Sequence, residues 1–145
     1  MKDQLESYIL SGKYIEAKEL FNSTDFRVAY ENLLEISFNN ENLSNYTFVI
    51  YLLAQENHER LHDLAYILLS QPLCHLEGAY TSALYHARKA VELSKSREVK
   101  YLENLLFLNT VPDCVVSDEE AKEISKKILS IDANHEIALD VFKNG

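Results

Sequence analysis

The residues of this sequence best suited to chemistry are His58, Glu59 and His62, which form the pattern H-E-x-x-H. Residues four apart share one face of an α-helix, so the two imidazoles would point the same way if this stretch is helical. Imidazole nitrogens are common zinc ligands, and a carboxylate beside them can activate a metal-bound water. The spacing therefore indicates a candidate metal site, with His58 and His62 as ligands and Glu59 as the base.

This pattern resembles the active-site helix of the zincin metallopeptidases, and the resemblance implies a metal-dependent hydrolase. The sequence departs from that family in three respects. Arg60 places a cation inside the motif, no glycine turn with a third histidine follows, and no candidate strands precede the motif. A third ligand would have to come from His75, Glu77 or His86. We therefore expect no metal, no other cofactor and no enzymatic activity, and retain a helical metal-binding protein or hydrolase as the alternative.

Other catalytic patterns are weaker still. Cys74 and His75 are adjacent, and neighbours on a helix point about 100° apart, so they do not form a thiolate–imidazole pair directly. His62-Asp63 is the dipeptide of HD-type phosphohydrolases, but no histidine lies upstream of His58. The sequence also lacks a glycine-rich phosphate loop, a nucleophile elbow and a dinucleotide fingerprint, which leaves nucleotide enzymes without support.

Composition favours a helical protein. Hydrophobic residues make up 47% and charged residues 26%, but there are only three glycines and two prolines. Sandwiches and barrels need many turns, so this scarcity favours a few long helices in one domain over residues 1–145. The start lacks the apolar core of a secretory signal, and no run reaches the ~18–20 apolar residues of a membrane span. Two cysteines without paired spacing, Cys74 and Cys114, agree with a cytoplasmic location.

The formal net charge is −9, from 23 acidic and 14 basic side chains. A chain of this charge repels phosphate backbones, so we expect no nucleic-acid binding. A small basic cluster is too thin to reverse that expectation: Arg88, Lys89, Lys95, Arg97 and Lys100. If charge steers an encounter, it steers a basic protein partner toward this chain.

A long helix over Gln71–Ser94, opened by Pro72, is predicted to lie at the centre of the fold. Small residues recur on one side of it, at Ala79, Ala83, Ala87 and Ala90. A lane of alanines lets another helix approach closely, and large apolar side chains run beside the lane. Elsewhere, Asn39–Asn45 is predicted to be a loop, and Ser117 with Glu120 forms a capping box that starts a helix.

Two stretches of the C-terminal half align at an offset of 38 residues, with Ala83 opposite Ala121 and Ala90 opposite Ile128. This pattern resembles tetratricopeptide repeats, in which antiparallel helix pairs stack. The tryptophan-leucine-glycine signature of that family is missing, and Ala133 stands where the family has proline. The resemblance implies an all-α fold of about eight antiparallel helices in an α-solenoid, whose concave face binds peptides or protein surfaces.

Six residues are the candidate binding side chains. His75 and Glu77 belong to a polar cluster in Gln71–Ser82, the half of the long helix that has no counterpart in the repeat. Tyr80 and Tyr85 suit an interface, because tyrosine buries a large area while keeping a polar tip. Glu59 and Asp63 would contribute to an acidic binding surface.

The function expected from these features is a non-enzymatic protein–protein interaction module of the cytosol. Its partner would be a protein, basic in charge, that binds an acidic helical surface. A specific form of this hypothesis is an immunity-type protein that neutralises a basic nuclease toxin, because an acidic helical surface would be steered to a cationic active site and plug it.

Overall fold

A computed structural model describes residues 1–144, and within them the chain forms nine α-helices and no β-strand. This confirms the all-α class, for which about eight helices were predicted. The helices are α1 (Lys2–Leu10), α2 (Tyr14–Asn22), α3 (Phe26–Asn40), α4 (Leu43–Gln55), α5 (Glu59–Ser70), α6 (Ala79–Leu93), α7 (Val99–Thr110), α8 (Asp118–Ile131) and α9 (Glu136–Asn144). None of the helices in this part of the chain combines the length and the apolar character that a membrane crossing requires.

The predicted helix over Gln71–Ser94 is wrong in its first third, because α6 begins only at Ala79. Proline disfavours helical geometry in the residue before it, and α5 accordingly ends at Ser70, just ahead of Pro72. Residues 71–78 then form successive turns. The last of them is closed by Gly78 at φ 82°, a left-handed conformation that glycine adopts without strain.

The polar stretch Asn39–Asn45 is mostly helical rather than a loop. Helix α3 runs to Asn40, and α4 starts at Leu43 after two linking residues. The Asn42 side chain accepts a hydrogen bond from Ser44 N at 2.8 Å, so it caps α4. The Asn40 side chain accepts from Asn45 Nδ2 at 2.8 Å. These asparagines, which suggest a long loop in the sequence, instead end one helix and cap the start of the next.

Helix α5 joins two hydrophobic clusters that together make up the core. Its residues Leu64 and Leu68 belong to the cluster built with α1–α4. Its residues Tyr66 and Leu69 belong to the cluster built with α6–α9. The central helix is therefore α5, one element earlier than the predicted one.

The alanine lane of α6 packs as predicted. All four of its alanines are buried, and α6 makes its most extensive helix–helix contact with α5. The positions paired by the 38-residue offset are also buried in both helices, namely Ala83 with Ala121 and Ala90 with Ile128. From α4 onward each helix packs on the next one in the chain. This order places side chains of α4, α5 and α6 around one buried polar group.

Candidate functional site

The buried polar group consists of two histidines that face each other between α5 and α6. His62 Nδ1 lies 3.0 Å from His86 Nδ1. The side chains are almost fully enclosed, with exposed fractions of 4% for His62 and 2% for His86. The aromatic ring of Tyr85 packs over them, with its centroid 5.0 Å from that of His86. We call this contact the α5–α6 seam.

Each outer nitrogen of the pair has a partner of its own. His62 Nε2 lies 2.7 Å from Asn57 Oδ1, and His86 Nε2 lies 2.9 Å from the hydroxyl of Tyr46. One arrangement of protons satisfies all three bonds with both rings neutral. Tyr46 O–H donates to His86 Nε2, His86 Nδ1–H donates to His62 Nδ1, and His62 Nε2–H donates to Asn57 Oδ1. These hydrogen bonds therefore form a chain in which every donor points the same way, from Tyr46 of α4 through His86 of α6 and His62 of α5 to Asn57.

Burial keeps both imidazoles uncharged at neutral pH. Desolvation is the main reason that the pKa of His62 is lowered, and the charge of Lys89 adds to the effect while Glu92 opposes it. Burial lowers the pKa of His86 to about 4, with a further contribution from the neighbouring His62. A charged imidazole loses its hydration here, and within residues 1–144 no carboxylate is hydrogen bonded to either ring in return.

The H-E-x-x-H motif does not form the metal pair that its spacing indicates. His58 precedes α5 as its N-cap, and its Nδ1 accepts a hydrogen bond from Arg60 N at 3.0 Å. Both nitrogens of His62 are already bonded, one to the buried His86 and the other to the exposed Asn57. Within residues 1–144 there is no group of three or more His, Cys, Asp and Glu side chains placed to hold a metal ion. The geometry thus gives a capping role to His58 and a packing role to His62.

A second polar group lies on another face of α5, around Asp63. Its carboxylate accepts hydrogen bonds from Asn104 Nδ2 at 2.9 Å and from the hydroxyl of Tyr30 at 3.2 Å. These bonds join α3, α5 and α7. Burial raises the pKa of Asp63, although the two hydrogen bonds and the charge of Lys100 partly offset the rise. Desolvation and the Asp63 charge also raise the pKa of Tyr30.

A cavity of about 260 Å³ opens over Asp63 and is lined by cations that rest on aromatic rings. The Arg60 guanidinium lies 4.4 Å from the centroid of Phe26, and the Lys100 ammonium lies 5.1 Å from that of Tyr101. Within residues 1–144, neither cation has a carboxylate within salt-bridge distance. Asp25 and Arg27 also line this cavity, and Arg27 pairs with Glu31.

An apolar cavity of about 420 Å³ lies between α5, α7 and α9. Ile67, Phe107 and Ile137 are among its lining residues, and Phe107 and Ile137 are 39% and 58% exposed. Asn104 lines this cavity and bonds to Asp63, which lines the first one. We call the two cavities together the inner groove. Side chains of α3, α5, α7 and α9 form its walls.

The structure does not bring the six predicted binding residues together. His75 and Glu77 are exposed in the turns before α6, where His75 lies 3.8 Å from Glu41, and Tyr80 is half-buried at the start of α6. Tyr85 is 57% exposed over the histidine pair. Glu59 and Asp63 lie at the start of α5, and of the six only Asp63 lines the groove. Sequence reasoning missed Lys100, Tyr101 and Asn104 of α7, a helix that is hydrogen bonded to α5 through Asn104.

Comparisons of this chain with profiles of protein families, with curated proteins and with solved structures returned no match.

Proposed function

We propose that this chain is a polypeptide-binding module whose ligand lies along the inner groove. The carrying observation is that four alternate helices, α3, α5, α7 and α9, line two cavities. In a tetratricopeptide-like α-solenoid, alternate helices face one groove. The proposal therefore includes a solenoid arrangement of the helices. A groove of this kind offers a long concave surface, which suits an extended segment better than a small molecule.

The charge at one end of the groove supports a ligand with an acidic side chain. Within residues 1–144, Arg60 and Lys100 form no salt bridge, and they lie against the rings of Phe26 and Tyr101. Side chains that are already positioned lose little entropy on binding. The Asp63 carboxylate accepts hydrogen bonds from Tyr30 and Asn104 and forms no salt bridge with either cation within residues 1–144.

The other end of the groove supports apolar side chains in the same ligand. Leu106, Phe107, Ile137 and Val141 present apolar surface there. Covering such surface contributes roughly 25 cal/mol per Å² of apolar area removed from water. The ligand we propose is therefore a segment of another protein in which an acidic residue is followed or preceded by two or three apolar residues.

The net charge of −9 supports a partner protein that is basic as a whole. Overall charge acts at long range and accelerates encounter, whereas the groove contacts act only on the bound segment, so the two requirements are compatible. An immunity-type protein that neutralises a cationic nuclease toxin is one form of this proposal. It is supported by charge and size, and the closed hydrogen bonding of His58 and His62 gives no support to the alternative metal hydrolase.

The test uses a displayed library of random dodecamer peptides as the probe, selected on the full chain. We expect the selected peptides to share an acidic position near apolar ones. Titration calorimetry then measures the affinity of one selected peptide for the wild-type chain and for the variants Arg60→Glu and Lys100→Glu. Each reversal should weaken binding at least tenfold, because it replaces an attraction by a repulsion at the same place.

Lys126→Glu is the matched control. Lys126 is exposed on α8, away from the groove, and pairs only with Glu123 of its own helix. The control should leave peptide affinity unchanged, while Ile137→Ser should weaken it. Equal losses in all three charge reversals would show that net charge alone governs binding, and a library that yields no binder would refute the groove.

A further inference from the structure

The α5–α6 seam joins the two halves of the hydrophobic core. Tyr46, the first member of the hydrogen-bonded chain, packs against both clusters. His62 belongs to α5, which contributes to both clusters, and His86 belongs to α6, which packs on it. A change in the histidine pair is thus a change in the contact that holds the halves together.

A first proton on His86 would sit on Nε2, and the Tyr46 hydroxyl would turn to accept it. A first proton on His62 instead reverses the bond between the two rings. With His62 charged, its Nδ1–H would donate to His86 Nδ1, and His86 Nε2–H would donate to the Tyr46 oxygen. The hydrogen bonds survive, but a buried cation remains with Asn57 as its sole other partner. Burying an unpaired charge is costly, so the closed seam resists this step.

A second proton cannot be accommodated at all. Both Nδ1 atoms would then carry hydrogens and face each other across 3.0 Å, with no lone pair to accept either one. The two positive rings would also repel. Separation of α5 from α6 relieves this contact and lets water reach both rings.

The other charged and titratable groups near the pair do not supply a compensating anion. Tyr46 faces it from α4, Tyr85 and Lys89 from α6, and the neutral Asn57 from the turn before α5. Glu92 of α6 raises the pKa of His62, but its effect is smaller than those of burial and of Lys89. Within residues 1–144, no carboxylate is hydrogen bonded to either ring.

We propose that the His62–His86 pair is a proton-operated joint, which holds the two halves of the core together when neutral and parts α5 from α6 when it takes up protons. This inference does not depend on the proposed ligand of the groove.

The direction of the pH effect follows from the lowered pKa values. An imidazole in the unfolded or opened chain titrates near 6.5, whereas that of His86 in the closed seam titrates near 4. The closed form therefore has its full stability above pH 6.5 and loses it as the pH falls toward 4. Each extra proton bound by the open form raises the opening constant about tenfold per pH unit, so the pair raises it up to about a hundredfold.

The decisive measurement is the denaturant unfolding of the full chain between pH 7.5 and 5, a range above the titration of ordinary carboxylates. We expect the unfolding constant to rise by at least tenfold per pH unit below 6.5. His86→Gln and His62→Gln should each lower that slope, while His75→Gln, which removes an exposed ring, should leave it unchanged. A wild-type slope near zero in this range would overturn the proposal.

Two measurements on the wild-type chain keep the proposal testable if the glutamine variants do not fold. Ring ¹⁵N NMR at pH 7 should show His62 with its proton on Nε2 and His86 with its proton on Nδ1, and charging of either ring above pH 6 would contradict the joint. Hydrogen exchange, corrected for intrinsic rates, should show amides of α5 and α6 losing protection at pH 5 before those of α1 and α8. Simultaneous loss everywhere would mean global unfolding without a joint.

Discussion

The carboxylate of Asp63 accepts a hydrogen bond from Asn104 Nδ2 at 2.9 Å and so links α5 to α7 across the inner groove. The same carboxylate accepts from Tyr30 of α3. One side chain therefore holds three of the four groove helices in register. It is also a half-buried acid whose pKa is raised by burial, which means that its negative charge opposes folding while its hydrogen bonds support it.

These two contributions are separated by two variants of Asp63. Asp63→Asn keeps the size and removes the charge, so it should be neutral or slightly stabilising at pH 7. Asp63→Ala leaves Tyr30 and Asn104 without their acceptor and should cost about 1–3 kcal/mol of unfolding free energy. Urea unfolding at pH 7 measures both. Because the pKa of Asp63 is raised, its charge penalty in the wild type disappears as the pH falls, and the advantage of Asn should shrink with it. An equal loss in both variants would show that the charge itself is needed.

The N-terminus of α8 depends on Ser117. Its Oγ accepts a hydrogen bond from Glu120 N at 3.1 Å, which confirms the first half of the predicted capping box. The Glu120 carboxylate does not complete the box but pairs with Arg88 of α6. Ser117→Ala should cost about 1 kcal/mol in thermal or urea unfolding. Ser130→Ala, an exposed serine in the last turn of the same helix, is the control and should change little.

Substitution by alanine should have opposite effects on stability at two buried serines. Ser125 Oγ in α8 is fully buried and has no hydrogen-bond partner among the described residues, whereas Ser37 Oγ in α3 donates to Leu33 O at 2.7 Å. Ser125→Ala removes an unsatisfied hydroxyl and should stabilise the chain by up to about 1 kcal/mol, while Ser37→Ala should be neutral or destabilising. Matched urea curves at pH 7 decide. Destabilisation by Ser125→Ala would mean that a water satisfies this hydroxyl.

The close approach of α6 to α5 makes the alanine lane sensitive to size. Ala87 is fully buried in the second cluster, so Ala87→Leu inserts a large side chain where no space exists. We expect a loss of about 1–3 kcal/mol in unfolding free energy. Ala54→Leu on the exposed side of α4 is the control and should stay within about 0.5 kcal/mol. A tolerated Ala87→Leu would show that the helices can move apart at low cost.

Hydrophobic periodicity and helix-capping residues in the sequence predict most of the helical elements. Alanine spacing indicated the face of α6 that meets a neighbour, and Ser117 marked the start of α8 to the residue. The boundary at Ala79 was also accessible, because Pro72 and Gly78 bracket a segment that helices avoid. The continuous polar and apolar pattern over Gln71–Ser94 outweighed those two signals in the prediction.

The two sites were harder to predict from the sequence, because they depend on which helices become neighbours in the fold. His62 and His86 lie 24 positions apart, and their pairing depends on the antiparallel packing of α5 on α6. Local spacing favoured His58 as the partner of His62 instead. Arg60 and Lys100 share a cavity across α5 and α7 for the same reason, whereas each appears in the sequence as an ordinary surface charge.

Adjacent positions of α5 serve two different surfaces, since His62 faces the seam and Asp63 faces the groove. A ligand that binds the groove only while α5 is in place must favour the neutral histidine pair, and protons must weaken that ligand by the same factor. Proton release on peptide binding, measured as a buffer-dependent enthalpy near pH 5.5, would report this coupling directly. Helix α5 would then couple protonation of the histidine pair to ligand binding in the groove, because the adjacent residues His62 and Asp63 contact the two sites.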